Sequence, residues 1–216
     1  MELLDPVEVR VLGALIEKEA TTPEYYPLSI NALVNACNQK SNRDPVVNYD
    51  DDTVEDALAS LRDKKLALLN SGSGRVNKFS QRISETLNLG RRESAILCIL
   101  LLKGPQTLGE IKDRCDRMFS FGSLEEVDSV LERLNNWPGG GLAKKLSRQP
   151  GQKEARYSHL LAGEPVVELE RAASRVDSSD QQQPSRLSQL ESEVGELRSE
   201  LAELKRRFDE LEAQLR

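Results

Sequence analysis

The order helix, helix, helix, hairpin occurs twice in this chain, about 90 residues apart, and that repeat limits the folds open to it. In the first copy, Val7, Val11, Leu12, Leu15 and Ile16 fall near helical spacing, with Asp5 as N-cap and Pro6 as the first helical residue. Two prolines make the stretch from Thr21 to Pro27 a loop or short extended piece. Ser29 caps a second helix with Ile30, Leu33, Val34 and Cys37 on one face. A third helix is expected from about Asp52, which has capping-box spacing to Glu55 and places Val54, Leu58 and Leu61 inward. Leu66 to Leu69 and Val76 to Ser80 read as strands around a Ser-Gly-Ser-Gly turn.

The second copy runs the same way. An apolar helix from Arg92 to Leu102 ends at Gly104-Pro105, and Thr107 with Glu110 opens the next helix. Ser123 with Glu126 opens a third, with Leu124, Val127, Val130, Leu131 and Leu134 inward. Leu142 to Leu146 and Arg156 to Leu160 then read as strands around Pro150-Gly151. Three helices followed by a hairpin is the winged-helix form of helix-turn-helix. The expected fold class is mainly α with small β-hairpins (α+β): winged-helix domains at 1–88 and 89–164, a linker at 165–185 and a helix at 186–216.

That last segment changes pattern. Leu187, Leu190, Val194, Leu197, Leu201, Leu204, Phe208, Leu211 and Leu215 alternate spacings of three and four, an unbroken heptad seam. In a parallel dimer the pairs Arg186–Glu191, Glu193–Arg198, Glu200–Lys205 and Arg207–Glu212 are all opposite in sign. A parallel coiled-coil homodimer is the expectation, and the alternative is an amphipathic helix folded back on the second domain. About four heptads are marginal alone, and Gly195 at an outer position costs about 1 kcal/mol.

Composition narrows the function. With charged residues at 31% and a net charge of −6, the chain as a whole is not built to coat nucleic acid. Residues 1–90 carry a net −4, 91–164 a net +2 and 165–216 a net −4, so only the middle is mildly basic. Cys37, Cys98 and Cys115 are odd in number and scattered, which fits small buried side chains in a reducing cytosol rather than a disulfide framework. The N-terminal MELLDPVEVR has no signal-peptide pattern, and no apolar run approaches the ~18 residues of a membrane span. A soluble, cytoplasmic protein with no membrane association is expected.

Thr22-Pro23-Glu24-Tyr25-Tyr26-Pro27-Leu28-Ser29, Asn31 and the string from Ala36 to Val46, ACNQKSNRDPV, resemble the YceH-like family of uncharacterised bacterial proteins. Arg114 to Met118 and Glu154 to Leu160 add to the likeness, which covers about residues 5–162. The resemblance implies two winged-helix domains in a bacterial protein and no enzyme activity. The heptad tail lies outside it.

The residues themselves also give little support for catalysis. His159 is the single histidine and there is no CxxC, so neither a metal site nor a histidine-based nucleophile is assembled. Ser71 to Gly74 lacks the strand–GxGxxG–helix context of a dinucleotide site. No cofactor is expected.

Nucleic-acid binding is common for the fold, a fold-level analogy only. The helices that would enter a major groove are acidic, with Asp50, Asp51, Asp52, Glu55 and Asp56 in one and Glu125, Glu126, Asp128 and Glu132 in the other. Candidate contacts to DNA or a protein partner are Lys40, in the expected final turn of the second helix (Asn38 to Lys40), Asn42 and Arg43 after it, and Arg75, Lys78, Lys144, Lys145, Arg148 and Lys153 on the hairpins, unless those are solvated hairpin charges. Arg43 is expected either to clamp Asp50 or Asp51 across its loop or to reach a partner. Two functional readings stand: a DNA-associated regulator acting as a coiled-coil dimer, which the fold favours, and an acidic protein-interaction module.

Overall fold

A computed structural model describes residues 2–70, 76–148 and 154–164. The predicted linker and heptad helix lie outside the described residues.

Helix α1 (Pro6–Thr21) is fixed at its start by a capping box. Asp5 Oδ1 accepts the Val7 and Glu8 amides at 2.8 Å each, and Glu8 Oε2 accepts the Asp5 amide at 2.8 Å. After a 3-10 turn at Pro23–Tyr25 come β1 (Leu28–Ser29), α2 (Ile30–Cys37) and α3 (Asp51–Asp63). The hairpin β2 (Ala67–Asn70) and β3 (Lys78–Gln81) follows, and β1 adds to it to give an antiparallel sheet ordered β1-β3-β2. Phe79 lies opposite Leu28 on one side and Leu69 on the other.

The single turn α4 (Ile83–Thr86) leads into α5 (Arg91–Lys103), α6 (Leu108–Cys115) and α7 (Leu124–Asn135). Strands β4 (Ala143–Lys145) and β5 (Tyr157–His159) pair antiparallel. In this half the place of β1 is held by Gln106. It exchanges both backbone hydrogen bonds with Tyr157, at 3.0 and 2.7 Å. The second sheet is thus the first with its extra strand reduced to one residue.

Residues Met1–Pro165 form one compact unit. Its centre is the packing of α1 on α5. Helix α1 buries Val9, Val11, Leu12, Ala14, Leu15 and Ile16, and α5 buries every residue from Ala95 to Leu102. Each fully buried Leu or Ile contributes roughly 1.5–3 kcal/mol. The two helices approach closely at Gly13: a Cβ there would lie 2.8 Å from Leu102 Cδ2. The nearby Cys98 Sγ donates to the Gly13 carbonyl at 3.4 Å.

Three sequence expectations shift. Helix α3 starts at Asp51, not Asp52, because Asp50 is the N-cap and accepts the Thr53 amide at 2.9 Å. Helix α2 ends at Cys37 rather than running on to Lys40, with Asn38 as its C-cap. Glu126 accepts the Gly122 amide at 2.9 Å rather than that of Ser123, so only the Ser123 side of the expected capping box forms. The Thr107–Glu110 box forms in full.

Candidate interaction surfaces around a locked loop

The loop from Asn38 to Asp50 joins α2 to α3 and is held from inside by two arginines. Arg43 is 3% exposed, so its guanidinium is enclosed. It gives Nη2 to Glu17 Oε2 at 2.6 Å and Nη1 to Glu17 Oε1 at 3.1 Å, a bidentate pair with the last turns of α1. Its Nε and Nη2 also donate to the Ala36 carbonyl at 3.1 and 2.8 Å. Arg10, also buried, donates to the Cys37 carbonyl at 3.2 Å and the Pro45 carbonyl at 2.5 Å. Two guanidiniums therefore sit on the final carbonyls of α2, where the helix dipole favours positive charge.

The expected ion pair from Arg43 to Asp50 or Asp51 is not what forms. The loop turns back beneath α1, and the partner is Glu17, 26 residues upstream. Asn42 takes a left-handed backbone (φ 55°) and donates to Glu17 Oε1 at 2.7 Å. Asn38 closes the loop by exchanging two 2.8 Å hydrogen bonds with the backbone of Tyr49. The Asp44 amide caps the Leu102 carbonyl of α5 at 2.9 Å. Burial pushes the Glu17 pKa up, but the hydrogen bonds and charge of Arg43, then Asn42 and Lys18, outweigh it and hold the carboxyl below its usual value. Burial and the Arg43 charge beside it depress the Arg10 pKa.

The other predicted contacts are spread over separate elements. Lys40 is exposed on the loop, Lys78 is exposed on β3, and Arg148 is exposed beyond β4. Lys144 pairs with Glu164 at 2.9 Å. Lys145 is exposed, with its Nζ 5.5 Å from the centre of the Tyr157 ring. Arg75 and Lys153 lie outside the described residues.

Much of the positive charge in the second half is engaged internally. Arg133 pairs with Glu93, Arg92 with Glu126 at 3.0 Å, and Arg156 with Glu110 at 3.1 Å. The outer face of α3 exposes Asp51, Asp52, Glu55, Asp56 and Asp63 beside Arg62, and α7 exposes Leu124, Glu125 and Glu132. A cleft of about 550 Å³ opens between α1 and the start of α5, with Ile16, Leu89 and Met118 among its walls. Two of its polar groups satisfy each other, Gln81 donating to Glu19 at 2.6 Å.

His159 lies on β5. Burial lowers its pKa to about 4, and its Nδ1 is enclosed without a hydrogen-bond partner. A neutral buried imidazole whose folded pKa lies below the unfolded value of ~6.5 binds its proton later than the unfolded chain does. Its contribution is fully present above about pH 6.5 and is lost as pH falls toward 4. We expect stability to decline by up to about 3 kcal/mol over that window. His159→Asn should flatten the slope in urea titrations at a series of pH values, and an unchanged slope would assign the decline to other groups.

Among the described residues no group of three or more His, Cys, Asp or Glu could hold a metal ion, and no helix is long and apolar enough to cross a membrane. All three cysteines are buried and free, with thiol pKa values pushed up by burial. Among the described residues the chain is a mixed α/β protein of seven helices and two small antiparallel sheets. It belongs to the DUF480 family, described as proteins of unknown function, whose model matches residues 4–152. It is similar to the UPF0502 protein of Solibacter usitatus, with 57% identity over 81% of this chain and 83% of the relative. A UPF0502 protein of Koribacter versatilis is 49% identical over 88% of both chains, and one of Geotalea daltonii 54% identical over 78% and 77%. The YceH-like resemblance is to this same bacterial family.

Sequence reading missed Arg10, Glu17 and Asn38. The available signal was Arg10 and Glu17, a charge of each sign seven residues apart and so on one face of α1.

Proposed function

We propose that this chain is a non-enzymatic interaction module: two winged-helix domains in tandem, self-associated through the C-terminal heptad segment, that present acidic α3 and α7 faces to a basic protein surface. The observation that carries this reading is the outer face of α3, five carboxylates beside one arginine at the position where a DNA-binding relative of this architecture would need cations. The internal pairing of Arg43, Arg92, Arg133 and Arg156 supports it, because those charges are already committed within the fold. Locking the α2–α3 loop from inside would hold the α3 face rigid before a partner arrives, which lowers the ordering cost of binding.

A second reading, direct association with DNA through the hairpins, is favoured by the exposed Lys78, Lys145 and Arg148. A nuclease-treated, crosslinked pull-down from the native cytosol separates the two. The module reading expects a captured protein that survives nuclease and falls roughly tenfold, about 1.4 kcal/mol, with Asp52→Lys, Glu55→Lys and Asp56→Lys together. Capture indifferent to those changes would overturn it. A mobility shift with a steep salt slope, abolished by Lys144→Glu, Lys145→Glu and Arg148→Glu, would establish the DNA reading instead.

A further inference from the structure

A cavity of about 190 Å³ lies where the end of α1, the α2–α3 loop and the end of α6 meet. Its walls include Glu17, Thr21 and Asn42 from one half of the unit and Asp113, Arg114 and Arg117 from the other. The volume equals the liquid share of about six waters. Arg114 is a wall whose hydrogen bonding is incomplete. Its Nη1 is enclosed and has no hydrogen-bond partner among the described residues. Its one ion pair, from Nη2 to Glu110 Oε1, is 4.0 Å long. Glu110 is otherwise engaged, since its Oε2 accepts the Thr107 amide at 2.9 Å and Arg156 Nη1 at 3.1 Å.

The charge balance favours an anion. Glu17 is already neutralised by Arg43 at 2.6 Å and Lys18 at 3.4 Å, and Asn42 occupies one of its oxygens. Asp113 is an exposed wall on α6, with Arg114 next to it in the helix and Arg117 in the turn that follows. The Arg114 side chain is still 34% exposed, so its guanidinium can turn to a planar or tetrahedral oxyanion and share it with a second cation.

We propose that this cavity binds a small oxyanion, a phosphate or a short carboxylate, held by Arg114 and Arg117 with the Asn42 loop as its opposite wall. The site is independent of whether the acidic α3 face engages a protein. A ligand there would touch both halves of the unit and stabilise their packing.

The test is calorimetric titration of the full-length protein with inorganic phosphate and, separately, with succinate, at constant ionic strength against chloride. Saturable binding of at least one of the two is expected, and which one binds identifies the source of the oxyanion. Arg114→Gln and Arg117→Gln should each weaken it about tenfold, while Arg62→Gln on α3 leaves it unchanged. Circular dichroism in chloride checks the fold of each variant, and Arg117→Gln alone, an exposed position, carries the test if Arg114→Gln does not fold. No saturable heat with either anion overturns the proposal, as does binding that both arginine variants retain within twofold.

Discussion

Arg43→Ala lowers the free energy of unfolding by about 3–5 kcal/mol, the usual consequence of removing one member of a buried ion pair. The loss comes from what is left behind rather than from the attraction alone. Glu17 remains in a desolvated position with its guanidinium gone, and the Ala36 carbonyl loses two donors. Urea denaturation at pH 7 measures the change, and a cost under about 1 kcal/mol would mean the pair does not hold the loop. Replacing both partners by apolar residues, Arg43→Met with Glu17→Leu, should cost much less than the single change, since no charge is stranded.

The pH dependence follows in sign. Glu17 has a folded pKa below its unfolded value, so its contribution is present above about pH 4.5 and is lost as pH falls below that. In Arg43→Ala burial acts unopposed by the guanidinium, and the Glu17 pKa rises. The gap between the two proteins should therefore narrow as the solution is acidified. A gap constant from pH 7 to pH 4 would show that Glu17 is not the stranded group.

Gly13→Leu should cost at least about 3 kcal/mol, the upper end of the overpacking range. Alanine at this position gains about 1 kcal/mol of helix propensity. Its Cβ nonetheless lands 2.8 and 2.9 Å from the Leu102 side chain and 3.2 Å from Leu101 Cβ, all in a fully packed region. Leucine adds three further carbons to the same contact. Helices α1 and α5 must separate, and the Cys98–Gly13 hydrogen bond goes with them. Faster hydrogen exchange in the middle of both helices would accompany the loss. Unchanged protection in α5 would show that the crossing can absorb the side chain.

The elements that sequence reading located well are those whose signals are local. Asp5, Ser29 and Thr107 cap the helices expected of them, since a capping bond spans three residues. The hairpins appear within a residue or two of their expected bounds. Strand β1 and helix α4 escaped because two and four residues cannot carry a period. The strand exists only because β3 lies beside it, and nothing near Leu28 reports that.

Arg43 shows the other limit. Its sign and its position beside Asp50 and Asp51 made a local pair the economical reading. Those aspartates serve as N-cap and first turn of α3, and the chain between turns under α1 to meet Glu17. In the same way nothing in the local spacing of Glu8, Arg10 and Glu17 on α1 reports that they are covered. All three are buried, and their partners Lys64, Cys37, Pro45 and Arg43 lie 26 to 56 residues on. Ionic partners that far apart leave no spacing rule to read.

The burial of α1 bears on synthesis. This helix is made well before α5, yet a large part of its covering comes from residues 91–103. At about 5–20 residues per second, a ribosome leaves Leu12, Leu15 and Ile16 without that cover for several seconds after the helix has been made. The nascent first half thus exposes apolar surface until α5 has been made. A chain halted after β3 should remain sensitive to protease, and one extended past Lys103 should become resistant.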